Sequence, residues 1–419
     1  MRPFLIATVL ATSAWAQHDP SMSMGSMDDH QMPSVFGPYG MSREGSGTSW
    51  VPEASPLHGT MLPARSWSVM AHGFVNAVYD EQRGPRGDTK SFSSSMFMLM
   101  ASRALGSGTF GVRSMLSLDP AMGAAGYPLL LQTGETANGT DHLVDRQHPH
   151  DFFMEMSASY SMPLSEESAV YVYAGLPGEP ALGPPAFMHR FSGMRSPEAP
   201  ITHHWLDSTH ITMGVVTLGA SHGAWKVEGS WFNGREPDQH RWNIETRGFD
   251  SWSARLTFNP SSNWSLQASY GDLESPEQIS PEVGVKRTSV SALHQAEVAG
   301  MKWGTTLAWG RNDKSGHGER RKLDGWLLES ALEVSPRHTV FGRAERVEND
   351  ELFDHDDPLH DRVFAVKKLS VGYLFDFART GPLRWSVGAL GSAFSIPAEM
   401  KPAYGNRPAG FMVFLQARL

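Results

Sequence analysis

The chain has 419 residues, no cysteine and a formal net charge of −9. Without cysteine, a disulfide framework and a thiolate metal site are both excluded, so any metal must be bound by His, Met or carboxylate side chains. The modest acidic charge offers no basic face for nucleic acid. Beyond the N-terminus, no segment approaches the roughly 18 consecutive apolar residues of a membrane helix.

The N-terminus has the pattern of a secretory signal peptide. A positively charged start at Arg2 precedes the apolar run 4–11, and Ala14-Trp15-Ala16 fits a small-x-small cleavage site. We therefore expect residues 1–16 to be removed before Gln17. The alternative is a cytoplasmic protein with an apolar N-terminus.

Residues 17–65 form a leader rich in Gly, Ser, Pro, Met and His. It has no clear periodicity, so we expect it to be mostly extended or disordered. Its first part places soft ligands close together, a set that suits Cu(I) or Ag(I). These candidate ligands are His18, Met22, Met24, Met27, His30 and Met32. The alternative is a low-complexity tether.

From Ser66 onward the chain alternates apolar and polar residues in segments long enough to cross a bilayer as tilted strands. Trp264 and Tyr270 face one side of such a segment, while Ser265 and Gln267 face the other. Aromatic residues at both ends of an apolar stripe are typical of lipid-facing strands. We predict sixteen strands, near residues 66–80, 91–106, 108–119, 152–163, 168–176, 210–221, 224–234, 251–260, 263–272, 286–298, 300–311, 322–334, 338–348, 363–377, 383–396 and 410–419.

The predicted connections alternate between short turns and long loops. This asymmetry is expected when one barrel end faces the periplasm and the other faces outside. The sequence therefore predicts an all-β fold, a transmembrane antiparallel outer-membrane β-barrel of about sixteen strands over residues 66–419. A soluble propeller or sandwich, which also contains many short strands, is the alternative.

Two long loops on the predicted outer side, 120–151 and 177–209, are rich in histidine. His/carboxylate sets of this kind suit Zn(II) or Cu(II). The candidate ligands are His148, His150, Asp151, His203, His204, Asp207 and His210. We expect the first two histidines at the extracellular rim, facing the second loop. The alternative is a hydrogen-bond network that only keeps the loops folded. The proline-rich segment 177–191 should be rigid, and could narrow a pore or cap the rim.

A further group of side chains is predicted to face the lumen. Methionine and histidine on the first three strands could form a ladder of soft ligands, although methionine more often fills gaps in packing. These residues are Met70, His72, Met96, Met98, Met100 and Met115. Charged lumen candidates include Lys226, Glu228, Arg255, Lys302, Glu329, Glu333, Arg343, Glu345, Lys368 and Arg384. Both signs occur, which argues against strong ion selectivity and also fits salt bridges that fill the interior.

Enzyme signatures such as the Gly-x-Ser-x-Gly elbow, the Walker loop, HExxH and a dinucleotide fingerprint are absent from the sequence. We therefore predict no catalytic residue and no organic cofactor. Two alternatives to a channel stay open. One is an outer-membrane hydrolase of phospholipase type, with a serine beside a loop histidine. The other is a structural or adhesive barrel with a filled lumen.

Six long motifs occur together at 47–61, 126–135, 143–156, 176–190, 203–211 and 230–238. They resemble a family of bacterial outer-membrane β-barrel proteins that accompanies copper and other heavy-metal resistance systems. The resemblance implies an outer-membrane location in a Gram-negative cell and a link to metal handling, but it brings no established ligand set. The leader is similar to those of copper-resistance outer-membrane proteins, whereas the barrel does not match the copper-resistance B family.

The hypothesis from sequence is a channel or metal-capture protein for copper-type ions. Its expected partners are outer-membrane lipid and metal ions or small solutes, with copper or zinc as the ion and a homo-oligomer as one option. Nucleic acid is not an expected partner.

Overall fold

A computed structural model describes residues 32–316 and 318–419, and these form a closed antiparallel barrel of sixteen strands. The barrel strands are β2–β4 and β7–β19, and the barrel closes where β19 pairs with β2. The short strand β1 pairs with β2, and β5 and β6 form a separate hairpin.

The strands are β1 (Thr60–Leu62), β2 (Ser68–Arg83), β3 (Thr89–Leu105), β4 (Gly108–Leu116), β5 (Tyr127–Thr136), β6 (His142–Gln147), β7 (Phe153–Pro163), β8 (Ser168–Gly175), β9 (Val215–His222), β10 (Trp225–Phe232), β11 (Ser251–Ser261), β12 (Trp264–Leu273), β13 (Gly284–Val298), β14 (Met301–Gly316), β15 (Glu319–Ser335), β16 (His338–Asn349), β17 (Phe364–Thr380), β18 (Leu383–Ser395) and β19 (Ala409–Arg418). The α-helices are α1 (His203–Leu206) and α2 (Lys401–Tyr404), and 3-10 turns lie at Met41–Arg43, Asp119–Met122, Phe187–His189, Ser208–His210 and Ala398–Met400. None of the helices in the described part of the chain is long and apolar enough to cross a membrane.

Each of the sixteen predicted segments coincides with a barrel strand, so the predicted fold class and strand count are confirmed. On β10, Trp225, Val227 and Trp231 point outward and are exposed, Trp231 by 61%, whereas Lys226 and Glu228 are buried inside. An apolar exterior around a polar interior is the arrangement of a barrel in lipid. It excludes the soluble alternative.

The second half of the leader, residues 32–58, packs inside the barrel, and we call it the N-terminal inner segment. Phe36 stacks near Tyr171, with ring centroids 5.0 Å apart. Arg255 Nη2 donates to Thr48 Oγ1 at 3.0 Å, and Asn259 donates to the carbonyl of Val51 at 3.0 Å. This order differs from the expected extended or disordered leader. The sequence of this segment has no periodic pattern, and side chains of the lumen wall form hydrogen bonds with its irregular backbone.

The connection between β8 and β9, residues 176–214, also folds into the lumen, and we call it the inner loop. Trp205 Nε1 donates to the carbonyl of Leu323 at 3.0 Å. Arg190 is fully buried and forms ion pairs of 2.7 Å with both Asp207 and Glu329. The proline-rich part of this loop therefore narrows the interior and does not cap the rim.

The connection between β4 and β7, residues 117–152, carries the β5–β6 hairpin. Every residue of β5 is buried, including the run Leu129–Leu131, because the hairpin packs within the outer half of the barrel. Outside it lies a cavity of about 950 Å³ at the extracellular mouth. The two histidine-rich loops thus meet inside the barrel, beneath this cavity.

Candidate metal centre in the barrel lumen

Five imidazoles from the two histidine-rich loops gather in one buried cluster, which we call the histidine cluster: His148, His150, His203, His204 and His210. The shortest separations between ring centroids are 5.1 Å for His203 and His210 and 5.3 Å for His150 and His210. The other recorded separations within the cluster run from 5.5 to 6.5 Å. The loops thus bring together all five histidines proposed from sequence.

Three of these rings are held by hydrogen bonds on the same nitrogen. His150 Nδ1 lies 2.9 Å from Asp119 Oδ2, and His203 Nδ1 lies 2.8 Å from Asp207 Oδ1. His210 Nδ1 donates to the carbonyl oxygen of Asp207 at 2.8 Å. A proton on Nδ1 leaves the Nε2 lone pair free, and carboxylates in this position orient histidine ligands in metal sites.

Burial affects the protonation of three of these imidazoles. Burial lowers the pKa of His148 and His210 well below the usual value, and nearby imidazoles lower it further. Burial also lowers the pKa of His204. The Nε2 atoms of His204 and His210 are buried and have no hydrogen-bond partner among the described residues. Unprotonated, unpartnered imidazole nitrogens are the form that binds a metal.

The spacing of the rings also fits a shared ion. With a metal–nitrogen distance of about 2.0 Å, two imidazoles on a tetrahedral ion have ring centroids roughly 5 Å apart. His150, His203 and His210 include two pairs at this spacing. Among the described residues, potential ligand atoms lie within 4.8 Å of one another at His142, Glu277 and Glu351, whereas those of the histidine cluster are more widely separated. Side-chain rotation is therefore needed to close the cluster on an ion.

A glycine in the β5–β6 hairpin makes room for one of these rings. Gly134 has φ +112°, and a Cβ there would collide with the ring of His204. Only glycine adopts this backbone at little cost and lets the imidazole pack against it. The hairpin thus closes one side of the cluster.

Two details differ from the sequence prediction. His148 and His150 do face the inner loop, but His148 is buried and not placed at the rim, because the whole 117–152 connection folds inward. Asp151, proposed as a ligand, instead lies 3.1 Å from Arg241. The leader ligands from His18 to His30 lie outside the described residues, while Met32 accepts a backbone hydrogen bond from Met41.

The predicted methionine ladder lies on the lumen wall. His72 on β2 is directly opposite Met98 on β3, which is opposite Met115 on β4. Met96 is fully buried, and Met70 lies opposite Met100. Four further side chains next to this ladder were not predicted as ligands from the sequence: His58, Met154, Met188 and His189. Met188 and His189 lie in the proline-rich segment 177–191, and Met154 lies on a predicted strand.

Several of the charged lumen candidates form ion pairs. Arg255 bonds Glu228 at 2.9 Å, Arg343 bonds Glu329 at 3.1 Å, and Glu333 bonds Arg195 at 2.7 Å. These pairs fill the interior and attach the inner loop to the wall. They match the salt-bridge interpretation of the charges.

The group of His142, Glu277 and Glu351 at the extracellular mouth was not proposed as a site from sequence. Lys314 Nζ reaches Glu277 at 4.0 Å and also bonds Glu351. The ammonium group of Lys314 therefore already offsets part of the negative charge of these carboxylates.

The hydrolase alternative predicts a serine beside a loop histidine. A serine–histidine pair forms between Ser168 and His222 at 2.8 Å, but both lie at exposed strand ends on the side of the short turns. The histidines of the cluster instead have carboxylates and a carbonyl as partners of Nδ1. The geometry gives the hydrolase alternative no support.

The lipid-facing exterior and the closed sixteen-stranded wall define an outer-membrane β-barrel of porin architecture, located in the outer membrane. Among solved structures, OprB of Pseudomonas putida in its high-pH form has a similar fold, with a TM-score of 0.54 and 11% identity over 84% of this chain and 94% of that chain. An anion-selective porin from Comamonas acidovorans is similar with a TM-score of 0.50 and 11% identity, over 84% of this chain and 100% of that chain.

At this level of identity the likeness shows the fold alone. No protein-family model matches the chain, and no curated protein matches it. The link to copper therefore stays a proposal.

Proposed function

We propose that this protein is a channel-like outer-membrane barrel that captures transition-metal ions, Cu(II) or Zn(II), at the histidine cluster. The observation that carries the proposal is the convergence of five imidazoles from two loops, with two buried Nε2 atoms that have no partner within residues 32–316 and 318–419. Leaving buried polar atoms unpaired costs about 1–3 kcal/mol each. A bound ion would offset that cost.

The cavity at the extracellular mouth supports capture from outside. Its lining carries nine acidic side chains against two basic ones: Asp141, Glu277, Glu282, Glu319, Asp350, Glu351, Asp354, Asp356 and Asp361 against Lys314 and Arg321. Such a cleft raises the local concentration of cations. Glu351 interacts electrostatically with both His142 and His204, so the cavity floor adjoins the cluster.

The inner loop and the N-terminal inner segment occupy much of the lumen. This filling favours a second candidate function, a structural barrel in which the histidines only hold the loops together. The two functions differ in one measurable property, because only the first requires an ion to bind.

The test is a titration of the folded, detergent-purified full chain with Zn(II) and with Cu(II). His18→Ala and His30→Ala remove the leader imidazoles, and His150→Gln with His210→Gln removes two rings of the cluster. We expect the cluster variant to lose one equivalent of bound metal. The matched control is His338→Gln, because His338 is exposed and bonded to Tyr373 far from the cluster. Equal binding by wild type and cluster variant would leave only the structural function.

A further inference from the structure

A second group of ligating side chains lies on the lumen wall, separate from the histidine cluster. His72, Met98 and Met115 form one row across β2, β3 and β4, each directly opposite the next. Opposite residues in antiparallel strands have Cβ atoms about 4.5–5.5 Å apart. One imidazole and two thioethers therefore share a single patch of wall.

The inner loop and the N-terminal inner segment cover this row. Met188 packs in the same buried cluster as Met98 and Met115. The ring of His189 lies 6.2 Å from that of His72, and the ring of His58 lies 6.4 Å from that of His72. The inner loop and the N-terminal inner segment thus add imidazole and thioether groups next to this row.

One ring nitrogen of each of these three histidines has no hydrogen-bond partner among the described residues. His58 Nε2, His72 Nδ1 and His189 Nε2 are buried without a partner in the described part of the chain. Buried polar atoms in folded proteins ordinarily have a hydrogen-bond partner, so packing alone does not account for three unpartnered buried nitrogens.

Three arginines around the row are paired with carboxylates. Arg195 faces His58 and His72 but pairs with Glu333 at 2.7 Å, and Arg418, in the same small cavity, pairs with Asp376. Arg113, which acts on His189, lies 3.4 Å from Glu155. Also near His58 is Lys302. With no free carboxylate among these groups, the site is a poor match for a hard divalent ion.

We propose that His72, His189 and Met98, with Met115 and Met188 alongside, form a site for a soft monovalent cation, Cu(I) or Ag(I). Thioether sulfur and neutral imidazole are the ligands that such ions prefer. If the methionines served packing alone, leucine would fill the same volume, and a substitution by leucine separates the two roles. The site does not depend on metal binding at the histidine cluster.

The experiment is a silver nitrate titration of the full chain in chloride-free buffer, with bound silver measured after desalting. Met98→Leu removes the central thioether at nearly constant volume. Met412→Leu is the matched control, because Met412 is equally buried inside the barrel, on β19 in another apolar cluster. His189→Gln is a second test that leaves every barrel strand unchanged. The leader is identical in all these variants, so its contribution cancels.

We expect Met98→Leu and His189→Gln each to weaken one silver site at least tenfold, while Met412→Leu binds as the wild type does. Zinc binding should not change in Met98→Leu. Silver bound equally by all three variants would overturn the site. Silver lost from Met98→Leu in a protein that binds neither Zn(II) nor Cu(II) at the histidine cluster would support this site and overturn the histidine-cluster proposal alone.

Discussion

The histidine cluster differs from the row of His72, Met98 and Met115, which we call the methionine row, in the part of the fold that positions the candidate ligands. Loops carry every imidazole of the cluster, and the carboxylates of Asp119 and Asp207 fix two of the rings. Strand register places the row, since His72, Met98 and Met115 are direct cross-strand partners. The cluster should therefore be sensitive to changes in charge, and the row to changes in side-chain chemistry at fixed backbone.

One short turn connects the two regions. Phe187 contacts the rings of His150 and His203, at centroid distances of 6.3 and 5.7 Å. The next two residues, Met188 and His189, face the methionine row. A substitution that detaches the inner loop should therefore weaken metal binding in both regions. The loss should be larger at the histidine cluster, because the inner loop carries three of its five imidazoles, whereas the row lies on the barrel strands.

The largest effect is expected from Arg190→Ala. This change leaves Asp207 buried without its arginine and Glu329 with Arg343 as its remaining cation, and breaking a buried pair costs about 3–5 kcal/mol. The inner loop should detach from the wall, with zinc binding falling more than silver binding. Hydrogen exchange of the loop and the two titrations measure this.

The control for Arg190→Ala is Arg320→Ala, which removes an exposed ion pair with Asp313. Exposed pairs contribute little to stability, so we expect no measurable change. If Arg190→Ala left exchange in the inner loop as slow as in Arg320→Ala, the buried network would not be what holds the loop.

A smaller effect is expected from Asp119→Asn. The amide keeps the shape of the side chain but is a weaker acceptor for His150 Nδ1, and loss of such a carboxylate partner typically costs 10–100-fold in metal affinity. Zinc titration should show this loss, and silver titration should show none. Asp272→Asn, at a partly exposed position, is the control. Equal losses for both metals would mean that the two regions are one site.

Met98→Leu should change the thermal stability of the barrel by less than about 1.5 kcal/mol, because the substitution conserves volume. Met412→Leu should behave alike. Comparable melting curves would show that any loss of silver in Met98→Leu comes from the thioether. A much less stable Met98→Leu would instead point to a packing role for this residue.

The smallest effect is expected from pH. Burial already lowers the pKa of His148 and His210 well below the usual value, so between pH 7.5 and 6.0 protons hardly compete with an ion held by these two rings, and zinc affinity there should change less than about twofold. Two imidazoles with an ordinary pKa of about 6.5 would lose affinity about tenfold. Zinc titrations at both pH values distinguish the cases. A tenfold loss in the protein with leader substitutions would contradict a buried site.

The barrel could be predicted from sequence because its signal is local. On β10, the alternation of Trp225, Lys226 and Val227 contains the strand, its lipid face and its lumen face together. The loop histidines could also be predicted as a group, since two loops on the same side must lie near each other. Their depth inside the barrel could not be predicted, because it depends on the folding of both loops into the lumen.

The partners of individual side chains were beyond the reach of the sequence. Asp119 forms a hydrogen bond with His150, and Asp151, proposed as a ligand, instead forms an ion pair with Arg241. Both contacts join residues that are far apart in the chain. The N-terminal inner segment shows the same limit. Its order comes from partners such as Arg255 and Asn259, more than 200 positions away.

The most direct test of the central claim is zinc-edge X-ray absorption on the zinc-loaded full chain carrying His18→Ala and His30→Ala. We expect one ion with at least three imidazole nitrogens at about 2.0 Å, and we expect this ion to be lost when His150 and His210 are replaced by glutamine. A first shell made of oxygen alone, or a protein that retains no zinc after desalting, would contradict this expectation.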